Sequence, residues 1–368
     1  MDRRDTRDTR AKACGRCVVL LGAILFCFDT PTFRLIRLGA AHRRGGVTFT
    51  LALILWRGVS YVAAALLLAF WESWTRPSHQ PRPPLDTRRT CLCMLLLATT
   101  GCAFPFAVSL TTAANVLVLI SLAPLIAVLL SSACNRVLRT GLSQVVVTQR
   151  RTVIASVVSV ISVVLVFSGS VSFSAGRGLA ENLIGCALAL CACVAQSSLL
   201  VLANTTDTSL VPAMPLGGLL VVFVALAALN RSLPSAAFPT SGADAALLVA
   251  NGMSNALGTC LIVMGSRTVP AAEVALMSLL EVGVSPALVW VATNFAEVPG
   301  LRTIIAGCLV VATLAAHAIA GRLGFDGDGV SPSCEPVSRP PLSTDVAAPV
   351  RGINGQDGSY GCVCSIKR

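Results

Sequence analysis

The chain is 368 residues long, 55% hydrophobic and only 12% charged, with a mean hydropathy of +0.78. Soluble domains carry about 25% charged residues, so a string of soluble domains is excluded and a polytopic membrane protein is indicated. The net charge of +11 does not point to nucleic acid, because the basic residues lie between apolar runs and not on one compact face.

In chain order, the opening stretch MDRRDTRDTRAKACGRC is rich in arginine but also holds Asp2, Asp5 and Asp8, unlike a transit peptide. Residues 1–16 are read as a cytoplasmic tail. A spanning helix needs about 20 mainly apolar residues, and ten such runs follow: Cys17–Leu38, Val47–Phe70, Thr90–Val108, Ala113–Ala133, Thr152–Ser168, Asn182–Ala203, Leu210–Leu229, Ala245–Val263, Ala271–Thr293 and Thr303–Ala320. Asp29, Pro31, Arg34 and Arg37 interrupt the first. Residues 169–181 form a connecting loop, and the Gly-, Pro- and Ser-rich tail, 321–368, is expected to be disordered.

Fifteen cysteines sit mostly inside these runs and read as small buried hydrophobes. Cys91-Leu-Cys93 and Cys191-Ala-Cys193 lack zinc-site spacing, so neither a metal nor a cofactor is expected. Twenty of the 28 Lys and Arg residues fall in alternate segments that share a side with the N-terminus, and seven fall on the other side. By the positive-inside rule both termini are cytoplasmic. Trp71 and Trp74 then lie at the inner membrane boundary, Asn204-Thr-Thr inside and Asn230-Arg-Ser outside.

Two segments share a rhythm. TTAANVLVLISLAPLIAVLL (Thr111–Leu130) and TVPAAEVALMSLLEVGVSPALVW (Thr268–Trp290) each carry Ala-Ala, a polar residue and a proline-bearing apolar run. They are the fourth and ninth of ten helices, which divides the chain into five-helix halves, 17–168 and 182–320. An odd number of spans forces the second half to enter the membrane inverted, an architecture of transporters. The fold class expected is therefore all-α integral membrane, with ten helices in two inverted repeats.

The second segment, GSRTVPAAEVALMSLLEVGVSPALVWV, resembles the end of the second EamA-type domain of the drug/metabolite transporter superfamily, with Gly265, Arg267, Pro270, Glu273, Glu281, Pro286 and Trp290 in place. FAEVPG (Phe295–Gly300) matches the loop that follows it. AANVLVLISLAPLIAVLL resembles the first domain through Asn115 and Pro124, and FCFDTPTFRLIRL with LILWRGV resembles the family's start through Asp29, Trp56, Arg57 and Gly58. The likeness covers roughly Gly22 to Ala320. Departures are CNRVLR at Cys134–Arg139, the lack of a proline aligned with Pro124 in the second repeat, and the long loop Glu72–Arg89. The resemblance implies transport of a small metabolite, by export, exchange or proton coupling, without naming the substrate.

Charged residues inside a bilayer cost about 2.5–3.5 kcal/mol on insertion scales. Glu281 lies roughly 15 Å along its helix from Ala271, near the middle of a hydrocarbon core about 30 Å thick. Ser278 and Ser285 share its face at three and four residues' distance. Glu281 is either a cavity carboxylate that binds substrate or proton, or a packing residue tied to serine partners. Glu273, just after Pro270, suits the positive end of the helix dipole. Asp29 and Arg57 lie roughly 18 Å and 15 Å into antiparallel helices, close enough in depth to pair, as a structural bridge or a gate. Asn115 reads as a packing amide or a ligand contact, and His317 as a packed residue. Cys14, Cys17, Cys362 and Cys364 read as plain thiols sooner than as acylation sites.

No nucleophile–base pair or phosphate loop is present, so an enzyme is not expected. The reading is a transporter working by alternating access; the alternative is a receptor, scaffold or scramblase on the same fold. Expected partners are a small-molecule substrate and the lipid bilayer, with a homodimer left open.

Overall fold

The computed structural model describes residues 3–40, 46–75, 86–111, 119–137, 178–206, 209–229 and 241–292, with Val116 and scattered residues within 153–161 and 304–319. Asn115, Asn230, His317, Cys362, Cys364 and the tail, singled out from the sequence, lie outside the described residues. Residues Met1–Ile319 form one compact unit.

Among the described residues all regular structure is helical. The elements are α1 (Arg3–Cys27), α2 (Asp29–Ala40), α3 (Gly46–Thr75), α4 (Thr87–Leu110), α5 (Ala123–Val137), α6 (Leu179–Asn204), a 3₁₀ turn (Val211–Ala213), α7 (Met214–Leu229), α8 (Gly242–Gly265), α9 (Ala271–Ser278) and α10 (Leu280–Ala292). Six stretches in them are long and apolar enough to cross a membrane: Ala13–Phe33, Phe49–Trp74, Thr87–Leu110, Ala180–Asn204, Val211–Leu229 and Gly242–Gly265. Their outward faces expose Leu66, Leu67, Leu95, Leu219 and Phe223, an apolar surface that lipid accommodates and water does not. The chain thus has the make-up of a multi-pass membrane protein.

The starts of two helices are written in local sequence. The Asp86 carboxylate accepts from the Arg88 amide at 3.1 Å, and the Ser241 hydroxyl from the Asp244 amide at 3.1 Å, each satisfying a donor that the helix leaves open. Between helices, small residues permit close crossings. A Cβ on Gly58 of α3 would lie 3.1 Å from the Gly218 carbonyl oxygen of α7, and one on Gly218 would lie 3.0 Å from the Gly58 carbonyl oxygen. Gly22 of α1 and Gly258 of α8 stand in the same reciprocal relation. Backbone-to-backbone approach of this kind supplies van der Waals contact where lipid removes the hydrophobic drive between helices.

The packed pairs include α3 with α7, α1 and α2 with α8, α4 with α6, α3 with α8, α4 with α7, α3 with α4, and α5 with both α6 and α9; α10 lies against α1 and α2. One core cluster joins Tyr61, Leu97, Leu199, Met214 and Val263. A second joins Val19, Ala127, Leu200, Ile262 and Val274 and seats α5 against α9.

Three predicted spans are not continuous helices. The first breaks at Phe28 because of Pro31, whose ring nitrogen cannot donate to the Cys27 carbonyl and whose ring crowds it. The Phe28 amide turns back to the Leu25 carbonyl at 3.2 Å, and a new helix starts at Asp29. The fourth breaks at Ser121–Leu122, where Pro124 likewise denies a partner to Ile120. The ninth breaks at Leu279, whose amide bonds the Leu276 carbonyl at 3.1 Å. Side chains from other helices satisfy the carbonyls that the prolines release. The Ser285 hydroxyl donates to the Cys27 carbonyl at 3.1 Å, and the Cys193 thiol to the Ile120 carbonyl at 3.6 Å. Irregular backbone at membrane depth requires such partners.

Candidate functional site

The three breaks surround a cavity enclosing about 930 Å³, its open side included. Phe26, Phe104, Ile120 and Leu200 form apolar walls. Asp29, Arg57, Tyr61, Thr100, Gln196, Asn255, Thr259, Ser278 and Glu281 supply polar groups.

One side of the cavity is a continuous hydrogen-bonded network. Asp29, the first residue of α2, is ion-paired through Oδ1 with Arg57 Nη2 of α3, and both side chains are almost fully buried. Asn251 Nδ2 donates to the same Oδ1 at 2.6 Å, while Asn251 Oδ1 accepts from Arg57 Nε at 3.1 Å. Asn255 Nδ2 donates to Asp29 Oδ2 at 3.0 Å. The Tyr61 hydroxyl donates to Asn255 Oδ1 at 2.6 Å and lies 2.9 Å from the Thr259 hydroxyl. The Arg57 guanidinium lies 5.6 Å from the centroid of Phe104, a cation–π distance.

Helical spacing assembles this network. Arg57 and Tyr61 are four residues apart on α3; Asn251, Asn255 and Thr259 form a four-residue ladder on one face of α8. The ladder turns one buried ion pair into a multiply bonded cluster, which is what a charge pair at this depth needs to offset its desolvation. It is also the part that reading for charge alone misses. The signal was present in NGMSNALGT (Asn251–Thr259), whose polar residues recur at helical period, but an amide carries no charge to draw attention.

Glu281 lines the cavity from the start of α10, as Ala123 does from the start of α5. Ser278 lines it too, with its hydroxyl turned to the Val274 carbonyl at 3.1 Å. Ser285, four residues on from Glu281 in α10, does not itself line the cavity; its hydroxyl donates to the Cys27 carbonyl at 3.1 Å, and the break at Leu279 separates it from Ser278. Glu273 is buried in the first turn of α9 and forms a forked pair with Arg16 of α1, Nε to Oε1 at 2.8 Å and Nη2 to Oε2 at 3.4 Å. It thus joins two helices besides complementing its own dipole. Asn204 Nδ2 donates to the carbonyls of Ser266 and Val269, at 2.8 and 3.0 Å, so this sequon amide is used in packing. Among the described residues no group of acidic, histidine or cysteine side chains could hold a metal ion.

Fold and cavity together define an all-helical, multi-pass membrane protein with a mainly apolar chamber among its helices that carries a few polar and charged groups. No family model and no curated protein matches the chain. A solved structure described as "Crystal structure of protein" aligns with a TM-score of 0.59 at 17% identity, over 84% of this chain and 99% of its own. That likeness shows a shared fold.

Proposed function

We propose that the chain is a ten-span transporter of the EamA type, in the drug/metabolite transporter superfamily, which carries a small polar or amphipathic metabolite through this cavity by alternating access, both termini being cytoplasmic. The observation that carries the reading is a coincidence of helix breaks. Ser121 and Leu279 each lie seven residues past an Ala-Ala pair, each marks a break, and Ile120, Ala123, Ser278 and Glu281 around them line the cavity. Discontinuous helices at the interface of inverted repeats are where transporters bind.

The packing pattern supports the same reading. Exchange each helix with its counterpart five spans on, and most of the packed pairs keep their relation: α1–α8 becomes α6–α4, α3–α8 becomes α7–α4, and α5–α6 becomes the contact of the ninth span with α1; α3–α7 and α5–α9 map onto themselves, whereas α3–α4 has no like counterpart in α7–α8. A two-fold relation between halves produces this pattern, and the reciprocal Gly58–Gly218 crossing suits it.

In this mechanism the Asp29–Arg57–Asn251–Asn255 cluster forms a fixed wall, and Glu281 is the carboxylate that holds substrate or proton. Purified protein in proteoliposomes tests it, after comparison of metabolites inside and outside cells with and without the protein has supplied a substrate. Glu281→Gln keeps size and hydrogen bonding but cannot ionise. The expected loss of flux is about tenfold or more, which corresponds to ~1.4 kcal/mol, and the residual flux loses its dependence on pH. Glu273→Gln, altered at the Arg16 pair and away from the cavity lining, keeps most of its flux. Saturable flux absent from well-folded protein refutes transport, and movement of labelled lipid in its place identifies a scramblase.

A further inference from the structure

We propose that Cys14 and Cys17 form an S-acylation site, taking long-chain fatty acyl groups that anchor the first span at the inner membrane boundary; the inference rests on the cytoplasmic N-terminus of the reading above. Spacing alone does not separate these thiols from plain ones, but their placement on α1 does. Gly15, Val19, Gly22 and Ala23 are buried, and a Cβ on Gly15 would meet the Thr268 side chain, so this face of α1 is packed against the protein. Cys14 and Cys17, three residues apart, are exposed free thiols on the opposite face. That face continues through Leu21, 52% exposed, and Ile24, 42% exposed, an apolar stripe that lipid covers.

The thiols also stand at the membrane boundary. The apolar run of the first span begins at Ala13, and residues 1–16 carry six basic against three acidic residues, a balance that draws the segment to an anionic cytoplasmic leaflet. An acyl chain joined there can lie along Leu21 and Ile24. The other described thiols lack this combination. Cys93, Cys193 and Cys260 are buried. Cys191 is exposed, but it lies roughly 18 Å beyond Leu179 along α6, too deep in hydrocarbon for a polar acyl donor to reach. Cys91 is exposed at the start of α4, but with Cys93 buried it offers one chain at most. A single chain binds a membrane reversibly, whereas two hold. The first span gains from such an anchor, because Asp29, Arg34 and Arg37 interrupt its apolar run.

The step is a thioester exchange catalysed by an acyltransferase of the cell. The cysteine sulfur attacks the carbonyl carbon of a fatty acyl–coenzyme A thioester. Its S–C bond forms as the donor's breaks, coenzyme A leaves as a thiol carrying the proton, and nothing is oxidised or reduced.

The test uses the full chain purified from the membranes of cells that express it natively. Free thiols are blocked under denaturing conditions, hydroxylamine releases thioesters, and the thiols so exposed are tagged and located by peptide mass. An antibody to the sequence Met1–Lys12, applied to intact and permeabilised cells, fixes the side of the N-terminus. Tags on Cys14, Cys17 or both uphold the site, and Cys14→Ser combined with Cys17→Ser is expected to abolish them while Cys91→Ser leaves them in place. A cytoplasmic N-terminus with no tag on either cysteine, or with tags confined to Cys91, Cys362 or Cys364, overturns the inference and leaves the transport reading intact. Staining of intact cells by the antibody overturns both the inference and the orientation on which it rests, and transport is then decided by the flux experiment.

Discussion

Asp29 accepts hydrogen bonds from Arg57, Asn251 and Asn255, and Arg57 in turn bonds Asn251, so four side chains share one fate. The Asp29 and Arg57 side chains retain only 5% and 3% of their exposure. Asp29→Asn leaves a guanidinium unbalanced in the bundle, and Arg57→Gln leaves a carboxylate; breaking a buried pair in this way costs about 3–5 kcal/mol. Against a total stability of about 5–15 kcal/mol, either single change removes a large share of folded protein. The double change removes both charges together. What remains is imperfect hydrogen bonding of Asn251 and Asn255, at about 1–3 kcal/mol for a buried group left unsatisfied. The double variant is therefore expected to be more stable than either single one, with a coupling of about 2 kcal/mol or more, within the range for residues in one network. Thermal unfolding of the four proteins in detergent, scored by the monodisperse fraction on size exclusion, measures the cycle. Additive losses would refute the reasoning, since independent sites do not share a buried charge.

Gly58→Val inserts its branched side chain where a Cβ already lies 2.9 Å from the Val222 amide nitrogen and 3.1 Å from the Gly218 carbonyl oxygen; overpacking of this kind costs about 1–3 kcal/mol and should lower the unfolding midpoint, whereas Gly242→Ala, which meets nothing within 4 Å, should leave it in place. Ser285→Ala removes the donor to the Cys27 carbonyl that Pro31 leaves open, with an expected loss of about 1–3 kcal/mol; Pro31→Ala in the same chain supplies an amide in its place and should recover part of the loss, a recovery that thermal unfolding would register and whose absence would argue against this account of the break.

Apolar length is a local property, so the long helices could be read from residue order: lipid at membrane depth demands internal hydrogen bonding whatever lies beside the segment. The depth of Asp29 and Arg57 was legible for the same reason, because helical rise converts sequence distance into ångströms and two charges at similar depth in apolar surroundings have few alternatives to each other. Proline was visible too, but its consequence was not. A missing amide predicts a break only when something else can take the released carbonyl, and for Cys27 and Ile120 the donors are Ser285 and Cys193, far away in sequence. The packing decided the rest. It parted Ser278 from Ser285 by interrupting their helix at Leu279, drew Glu273 to Arg16 across 257 positions, and set the uncharged ladder of Asn251, Asn255 and Thr259 against Asp29, Arg57 and Tyr61. Hydrogen bonds are short and directional, so which donor meets which acceptor depends on how two helices cross, and that crossing is settled by glycine contacts and side-chain shape along the whole bundle rather than by any single segment.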